Sequence, residues 1–269
     1  MSKERLDQLL LNRGLVTSRE KGRALIMAGQ VLVNNIVMDK AGTLVSSSDS
    51  IDIKGKLFPY VSRGGLKLEK ALREFKLNLE NSVVLDIGAS TGGFTHCALL
   101  NGAAKVYAVD VGYGQLDWLL RQDNRVVSLE RKNARYLSCE DVPELVDLIT
   151  IDAAFISLEK IIPPVIRFLQ DDGGIVALIK PQFEAGREKV GKKGVVRDKE
   201  VHREVIQRVI NFSTEIGLVP RGLLYSPITG PEGNIEYLLW LTKSGLVVDS
   251  WEQVIEVVLK DAHEQLRGK

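Results

Sequence analysis

The sequence predicts an α/β protein with a mostly parallel sheet, preceded by a small α+β domain. From about residue 80, apolar runs rich in β-branched residues alternate with segments long enough for helices, which is typical of a parallel sheet covered on both faces. The first 54 residues instead follow the order helix, helix, hairpin. The length of 269 residues suits one medium-sized domain and a smaller companion. We therefore expect domains over 1–58 and 81–269, joined by a linker and a first helix over 59–80.

The N-terminal segment carries helix and hairpin signals in order. The apolar residues of "ERLDQLLLNRG" lie on one helix face, and the final glycine is a usual helix end. Thr17 and Glu20 form a capping-box pattern that opens a second helix through about Ala28. Two asparagines at 34–35, a residue type that tolerates positive φ, stand between two β-branched runs and favour a hairpin.

Seven apolar runs in the larger part predict strands. They are 82–87, 105–110, 125–129, 147–152, 174–180, 218–226 and 235–242. The last two suit a terminal hairpin whose second strand is antiparallel to its neighbours. Beyond them, 247–259 has apolar residues at helical spacing, so we expect a helix that packs on the larger domain or on a partner. We assign that helix no function.

Composition excludes several classes of protein. Hydrophobic residues make up 45% and charged residues 26%, which is ordinary for a globular domain. The two cysteines, Cys97 and Cys139, have no pairing pattern, and the three histidines have no metal-ligand spacing. No apolar run approaches the roughly 18 residues that span a membrane, and the N-terminus lacks a signal-peptide core. We expect a cytoplasmic protein without disulfides or bound metal.

Charge is local rather than global. The formal net charge of +1 gives no general attraction to nucleic acid. Two stretches, 61–76 and 186–199, are nonetheless clearly basic. Each is either a contact for phosphates or an ordinary solvated surface, and composition alone leaves both interpretations open.

The stretch "LDIGASTGGFT" at 85–95 indicates a ligand loop after the first strand of the larger domain. Ligands of open α/β sheets bind at the carboxyl ends of strands, where glycines let the backbone approach closely. Asp110 ends the next strand, where a carboxylate can accept hydrogen bonds from both ribose hydroxyls of an adenosine. Dinucleotide enzymes and S-adenosylmethionine enzymes share that acid, so Asp110 does not choose between them.

The glycine spacing favours S-adenosylmethionine. A dinucleotide loop requires G-x-G-x-x-G, whereas here Gly88 precedes Gly92 and Gly93 and follows Asp86 by two positions. A carboxylate there would repel a pyrophosphate and attract an amino group and a sulfonium. Dinucleotide binding and a merely tight turn remain the alternatives.

Four charged residues stand at or near strand ends, in the order Lys67, Asp152, Lys180 and Glu236. A buried charge needs a partner, and alternating lysines and acids would pair with each other. The sequence "DAAF" after the fourth strand lacks the prolines usual in enzymes that methylate exocyclic base amines. Neither cysteine stands at a strand end, as methylation of a base carbon would require.

This order of lysines and acids resembles the K-D-K-E tetrad of the FtsJ-like ribose 2′-O-methyltransferases. The stretch "RLDQLLLNRGLVTSREKGRALIMAGQVLVNN" resembles the small RNA-binding module first described in ribosomal protein S-four. Together with "YVSRGGLKL" and "KPQFEAGREKVGKKGVVRD", residues 1–243 resemble the TlyA family, ribosomal RNA 2′-O-methyltransferases of cytidine that are often labelled haemolysins. The resemblance implies a Rossmann-like methyltransferase with a seven-stranded sheet, S-adenosylmethionine as cofactor, and ribosomal RNA or ribosomal subunits as partner, without membrane or metal.

The resemblance also implies roles for the tetrad. Lys180 is the candidate base, Lys67 supplies a second positive charge, and Asp152 and Glu236 orient the two lysines. Burial and a neighbouring ammonium lower a lysine pKa from about 10.4, whereas the acids raise it. The sequence leaves open whether Lys180 is neutral or only steers the hydroxyl.

The remaining expected contacts are with cofactor and RNA. For the cofactor the resemblance implies Asp86, Gly88, Ser90, Thr91, Gly92, Gly93, Phe94, Asp110, Asn133, Ala134 and Arg135. For RNA we expect Arg5, Arg19, Lys21, Arg23, Arg63, Arg187, Lys189, Lys192 and Lys193. Each of these assignments has an alternative. Asn133 caps a helix, the N-terminal module covers the larger domain, or the basic stretch at 186–199 is an ordinary solvated surface.

Two rival functions come from other classes of protein. A ribosome-assembly factor without catalytic activity would keep the fold and bind RNA, but it would not require a complete tetrad. A membrane-perforating haemolysin would require a spanning segment or a strongly amphipathic cationic helix, and the sequence has neither.

Overall fold

The computed structural model describes residues 3–16, 18–27, 29–34, 36–53, 59–191, 193–246 and 250–266. The chain divides into two compact units, Met1–Pro59 and Tyr60–Lys269.

The described residues of the first unit form two helices and five short strands. They are β1 (Lys3–Arg5), α1 (Leu6–Asn12), α2 (Arg19–Met27), β2 (Val31–Val33), β3 (Ile36–Met38), β4 (Leu44–Ser46) and β5 (Ile51–Ile53). Strand β2 lies between β3 and β5, antiparallel to both, and β1 pairs with β4. The apolar face of α1 packs with α2 and β2 around buried Leu6, Leu10 and Ile26. The predicted order of helix, helix and hairpin is confirmed, and β1, β4 and β5 are additional.

The second helix begins one residue later than predicted. Ser18 accepts a hydrogen bond from the backbone N–H of Lys21 at 3.2 Å, so its hydroxyl caps the helix. The predicted capping residue Thr17, and also Ala28 and Asn35, lie outside the described residues.

The second unit alternates strands and helices. Its strands are β6 (Val83–Ile87), β7 (Lys105–Asp110), β8 (Val126–Glu130), β9 (Val146–Ile151), β10 (Leu169–Ile179), β11 (Val219–Tyr225) and β12 (Tyr237–Thr242). Its α-helices are α3 (Gly65–Glu74), α4 (Gly93–Leu100), α5 (Trp118–Arg121), α6 (Leu158–Val165), α7 (Pro181–Glu184), α8 (Lys199–Glu215) and α9 (Trp251–Leu266). Short 3-10 turns cover Ala134–Tyr136, Ile166–Phe168 and Arg187–Lys189.

These strands form one seven-stranded sheet in the order β11-β12-β10-β9-β6-β7-β8. Neighbours from β10 to β8 are parallel, and β12 is antiparallel to both β10 and β11. The predicted mostly parallel sheet and its terminal hairpin are confirmed, although β10 begins at Leu169 rather than 174. Because the chain continues from β6 to β7 on one side and reaches β9 on the other, the carboxyl end of β6 is the switch point where a ligand crevice is expected.

Helices cover both faces of this sheet. On β6, Leu85 and Ile87 pack into the cluster that contains α6 and α8, while the alternate residue Val84 is buried on the opposite face, where α4 contacts β6 and β7. Such two-sided burial explains the continuous apolar runs of these strands. Helix α9 packs on α8 and β11 through buried Ile255 and Leu259, so the predicted C-terminal helix lies on this unit.

Candidate active site

Two adjoining pockets open at the carboxyl ends of the parallel strands. One has a volume of about 390 Å³ and the other about 260 Å³. Both are lined by Gly88, Ser90, Asp152 and Ala154, so a ligand in one pocket borders a ligand in the other. We refer to the larger as the β7 pocket, because it contains Asp110, and to the smaller as the tetrad pocket.

Two glycines in the loop after β6 have different structural roles. Gly88 has a φ of +83°, and a Cβ there would lie 2.8 Å from the carbonyl oxygen of Asp152 in the cleft wall. Gly92 has a φ of +94°, and its Cβ would lie 2.1 Å from Cδ1 of Leu120. Gly88 therefore allows the loop to lie directly against the backbone of Asp152 at the pocket wall. Gly92 allows α5 to pack against the loop and lines neither pocket, and its contact with a cofactor remains a prediction.

The rest of the loop faces the tetrad pocket. The lining includes Thr91, Gly93 and Phe94 in addition to the shared Ser90. These residues begin α4, so backbone N–H groups of a helix start lie at the pocket wall. The geometry brings these four predicted residues together.

Asp86 lies beneath the loop rather than in either pocket. Its side chain is fully buried, and its two oxygens accept hydrogen bonds from the hydroxyls of Thr95 at 2.6 Å and Thr150 at 2.8 Å. Burial raises the pKa of this carboxyl to about 6, against the hydrogen bonds from the two threonines, which lower it. The carboxylate points into the sheet–helix interface rather than into either pocket, so the expected contact with the methionine end of a cofactor remains a prediction.

Asp110 occupies the predicted place at the end of β7. Its carboxylate accepts backbone hydrogen bonds from Ser90 at 2.8 Å and Gly112 at 2.7 Å. These bonds fix the carboxylate against the loop and leave a further lone pair on each oxygen. Asp110 is thus positioned at the mouth of the β7 pocket with acceptor capacity to spare.

The far wall of the β7 pocket is apolar and contains one amide. Asn133 and Ala134 line it, together with the apolar residues Val109, Val111, Ile156 and Ile161. The Asn133 side-chain oxygen accepts from the backbone N–H of Arg135 at 3.1 Å, so it does cap the 3-10 turn. Arg135 itself is exposed and does not line the pocket, because its guanidinium turns back to Asn133.

The four tetrad side chains converge in the tetrad pocket. The Nζ of Lys67 lies 2.8 Å from an oxygen of Glu236 and 3.4 Å from an oxygen of Asp152. The Nζ of Lys180 lies 2.6 Å from the other oxygen of Asp152. Residues that are 85 and 169 positions apart in sequence thus form one alternating chain of charges.

Burial makes this pairing necessary. Lys67, Lys180 and Glu236 are buried, and the Asp152 side chain is only 18% exposed. Burial acts to lower the pKa of Lys67, but the carboxylates of Asp152 and Glu236 outweigh it and the pKa is raised. Lys67 is therefore held as an ammonium ion.

Helix α7 carries four contacts that the sequence did not predict. The amide of Gln182 donates to Glu236 at 3.4 Å, and the ring of Phe183 lies 4.9 Å from that of Phe155. The buried carboxylate of Glu184 accepts from the Ser157 hydroxyl at 2.7 Å and the Leu158 N–H at 2.8 Å. Each bond joins α7 to the segments that carry Asp152 or Glu236. The run "KPQFE" directly after a strand end was the only signal in the sequence.

Phe155 is the most exposed large apolar residue beside the cleft. It is 89% exposed, has a φ of +62°, and lines the β7 pocket and a third pocket of about 380 Å³ with Gln182, Phe183 and Arg187. A bulky residue in this backbone conformation is strained, which is common at functional sites. The sequence pattern "DAAF" contains Phe155 but predicts no role for it.

The arginines predicted for RNA contact in the first unit share an anchor. Arg5 and Arg19 both donate to the buried carboxylate of Asp7, at 3.0 Å and 2.9 Å. These bonds, led by the one from Arg5, hold the pKa of Asp7 at about 2. Both guanidinium groups remain half exposed, and Lys21 and Arg23 lie on the same helix as Arg19.

The predicted RNA contacts of the second unit lie in two places. Arg63 donates to the carbonyl of Thr229 at 2.5 Å, between the start of α3 and the segment before β12. Arg187, Lys189 and Lys193 are exposed in the basic loop, where Lys189 pairs with Glu204. Lys192 lies outside the described residues.

Among the described residues, no group of three or more histidines, cysteines and acids is placed to hold a metal ion. Within the same part of the chain, none of the helices is both long and apolar enough to cross a membrane.

Comparison with known proteins agrees with this geometry. Residues 60–243 match the model of the FtsJ-like methyltransferase family, and residues 4–51 match the S4 domain. The Bacillus subtilis protein YqxC is 50% identical over 99% of this chain and 96% of its own length. The 16S/23S rRNA (cytidine-2'-O)-methyltransferase TlyA of Mycobacterium tuberculosis is 44% identical over 88% of this chain and 89% of its own.

A solved structure from Streptococcus thermophilus superposes with a TM-score of 0.78 at 45% identity, over 100% of this chain and 98% of that one. The similarity therefore extends through both units and includes the segments that carry the tetrad. This chain belongs to the FtsJ-like methyltransferase family.

Proposed function

We propose that this protein transfers a methyl group from S-adenosylmethionine to the ribose 2′-hydroxyl of a cytidine in ribosomal RNA. The observation that carries the proposal is the convergence of Lys67, Asp152, Lys180 and Glu236 in a pocket that shares a wall with the β7 pocket. The name of the mycobacterial relative supports the choice of cytidine and of ribosomal RNA. Such a reaction belongs in the cytoplasm, where ribosomes are assembled.

The β7 pocket fits the adenosine part of S-adenosylmethionine. Its apolar wall around Ile156 and Ile161 suits an adenine ring, and the remaining lone pairs of Asp110 suit ribose hydroxyls. Gly88 lines both pockets, so a ligand can extend past it from the β7 pocket into the tetrad pocket. When bound there, S-adenosylmethionine supplies a methyl group on a positively charged sulfur.

Within the tetrad pocket, the two lysines have different roles. Because the carboxylates keep Lys67 protonated, its ammonium can donate a hydrogen bond to the ribose oxygen but cannot accept a proton. We assign the Nζ of Lys180, acting as a free amine, as the acceptor of the hydroxyl proton while the ribose oxygen bonds to the methyl carbon and displaces the sulfur from it. Asp152 contacts the Nζ atoms of both lysines and holds the two at a fixed separation.

Orientation is a large part of this catalysis. A well-oriented reaction within a bound complex gains several kcal/mol, about 7–11 in favourable cases, over the same groups in solution. Here the carboxylates are themselves fixed, since Gln182 donates to Glu236 and the N–H of Asp152 donates to the carbonyl of Ile87 at 2.9 Å. The lysines therefore begin in position before RNA arrives.

The third pocket suits the base of the acceptor nucleotide. Phe155 offers an exposed ring for stacking, and Arg187 stands on the rim with a positive charge. Arg5, Arg19, Lys21 and Arg23 of the first unit, which we propose to be an RNA-binding domain over 1–58, add phosphate contacts without sequence choice.

Labelled S-adenosylmethionine and ribosomal RNA test the proposal. The wild-type protein is expected to transfer label, and Lys180→Ala is expected to lower the rate by about 10²–10⁴-fold because a proton acceptor is lost. Lys160→Ala, on the surface of α6, is the matched control and should leave the rate unchanged. Transfer by Lys180→Ala at the wild-type rate would refute the assignment. RNA binding without any transfer would favour the assembly-factor alternative.

A further inference from the structure

The basic loop comprises residues 186–197. The end of the loop nearest helix α8, which we call the loop base, is buried. Its exposed part carries Arg187, Lys189 and Lys193, whereas Val195 and Val196 are buried. The loop is therefore divided into a charged outer part, suited to phosphates, and an inner end packed into the unit.

The side chain of Asn234 forms two hydrogen bonds with this inner end. Its Nδ2 donates to the carbonyl of Gly194 at 2.9 Å, and its Oδ1 accepts from the N–H of Val196 at 3.0 Å. The residue is only 3% exposed. Reversing the amide would place oxygen against oxygen and N–H against N–H, so the two bonds fix its orientation.

His202 holds the other side of the same loop residue. This fully buried ring has its Nε2 3.0 Å from the carbonyl of Val196 and its Nδ1 2.6 Å from the hydroxyl of Tyr237. A carbonyl only accepts, so Nε2 carries the proton and Nδ1 accepts from the tyrosine hydroxyl.

The backbone N–H of Val196 is thus bonded to Asn234, and its carbonyl is bonded to His202, which contacts Tyr237. Both connections reach the segment that contains Glu236. Asn234 stands two residues before Glu236, and Tyr237 follows it directly. Glu236 in turn pairs with Lys67 at 2.8 Å. Since an unpaired buried polar group is costly, the loop base and the segment around Glu236 are held to move as one body.

We propose that Asn234 and His202 are positioning residues that couple the basic loop to the tetrad. When RNA phosphates bind the outer part of the loop, the added restraint passes through Asn234 and His202 to Glu236 and Lys67, and it holds this existing ion pair rigidly beside the acceptor ribose. This inference rests on the proposed function and adds to it a route by which RNA binding controls the rate of transfer.

Asn234→Ala tests the coupling in the full-length protein. We expect kcat for ribosomal RNA to fall about tenfold, as two buried hydrogen bonds are lost. The Kd for S-adenosylmethionine should not change, because Asn234 lines neither the β7 pocket nor the tetrad pocket. Trypsin cleavage at the basic residues of the loop should accelerate. Asn211→Ala, on the exposed face of α8, is the matched control and should behave as wild type.

A double-mutant cycle separates coupling from a merely structural effect. Lys193→Ala should lower kcat as well as raise KM in the wild-type background, but only raise KM in the Asn234→Ala background. Equal effects of Lys193→Ala on kcat in both backgrounds, or an unchanged kcat in Asn234→Ala, would overturn the inference. Tyr237→Phe removes only the hydroxyl bonded to His202 and provides a second variant should Asn234→Ala not fold. Wild-type protein that transfers no methyl group would refute the proposed function instead.

Discussion

Replacing Asp86 by asparagine should stabilise the protein at neutral pH. The carboxylate of Asp86 is fully buried, and its pKa of about 6 lies above the ordinary value of 3.8. That difference corresponds to about 3 kcal/mol of stability that the ionised group costs above pH 6. Asparagine removes this cost and keeps a hydrogen-bonding partner for each hydroxyl of Thr95 and Thr150, because a threonine hydroxyl also accepts.

The sign of the effect sets the pH window. Because the pKa of Asp86 is raised on folding, the contribution of this group to the free energy of unfolding is fully present below pH 3.8. That contribution is lost as the pH rises through about 6. We expect Asp86→Asn to match the wild type near pH 4 and to exceed it at pH 7.5. A gain of about 1–3 kcal/mol corresponds to roughly 2–4 °C in Tm for each kcal/mol in a domain of this size.

Thermal unfolding of both proteins between pH 4 and pH 7.5 measures this difference. Asp172→Asn, an exposed carboxylate, is the control and should show no pH-dependent difference from wild type. If the difference in Tm between Asp86→Asn and wild type did not change with pH, ionisation of the buried Asp86 carboxyl would carry no cost in stability, and the argument from burial would be refuted.

Three further predictions follow from the loop, the tetrad and the first unit. Gly92→Ala should lower Tm by several degrees more than Gly114→Ala, since both have positive φ but only the former places a Cβ 2.1 Å from Leu120; equal losses of Tm would contradict the packing argument. Glu236→Gln should lower kcat by about 10²-fold with an unchanged Kd for S-adenosylmethionine, because the paired lysine loses its orientation; an unchanged kcat would exclude that role. Deleting residues 1–54 should weaken RNA binding, measured by filter retention, much more than cofactor binding, measured by calorimetry, whereas comparable losses would favour a covering role for the first unit.

The fold and the tetrad were predictable because they depend on local pattern. Apolar runs with β-branched residues predicted all seven strands of the large sheet, since a strand buried on both faces must be apolar throughout. Strand ends of a parallel sheet share one edge, so Asp152 and Lys180 were expected near each other from their positions alone.

The supporting contacts were not predictable, because they join residues that no local pattern relates. Asn234 meets Val196 across 38 positions, and Glu184 meets Leu158 across 26. The burial of Asp86 was missed for a similar reason. Its place in the loop motif suggested ligand contact, but the direction of its side chain depends on Thr150 of a neighbouring strand.

The site of methylation on RNA is the most direct test of the central claim. Ribosomal RNA labelled by the wild-type protein and digested to nucleosides should release its label as 2′-O-methylcytidine, because we propose that Lys67 and Lys180, held by Glu236 and Asp152, direct a ribose oxygen to the donor. Label recovered on a base, or none transferred although S-adenosylmethionine and RNA both bind, would contradict the account.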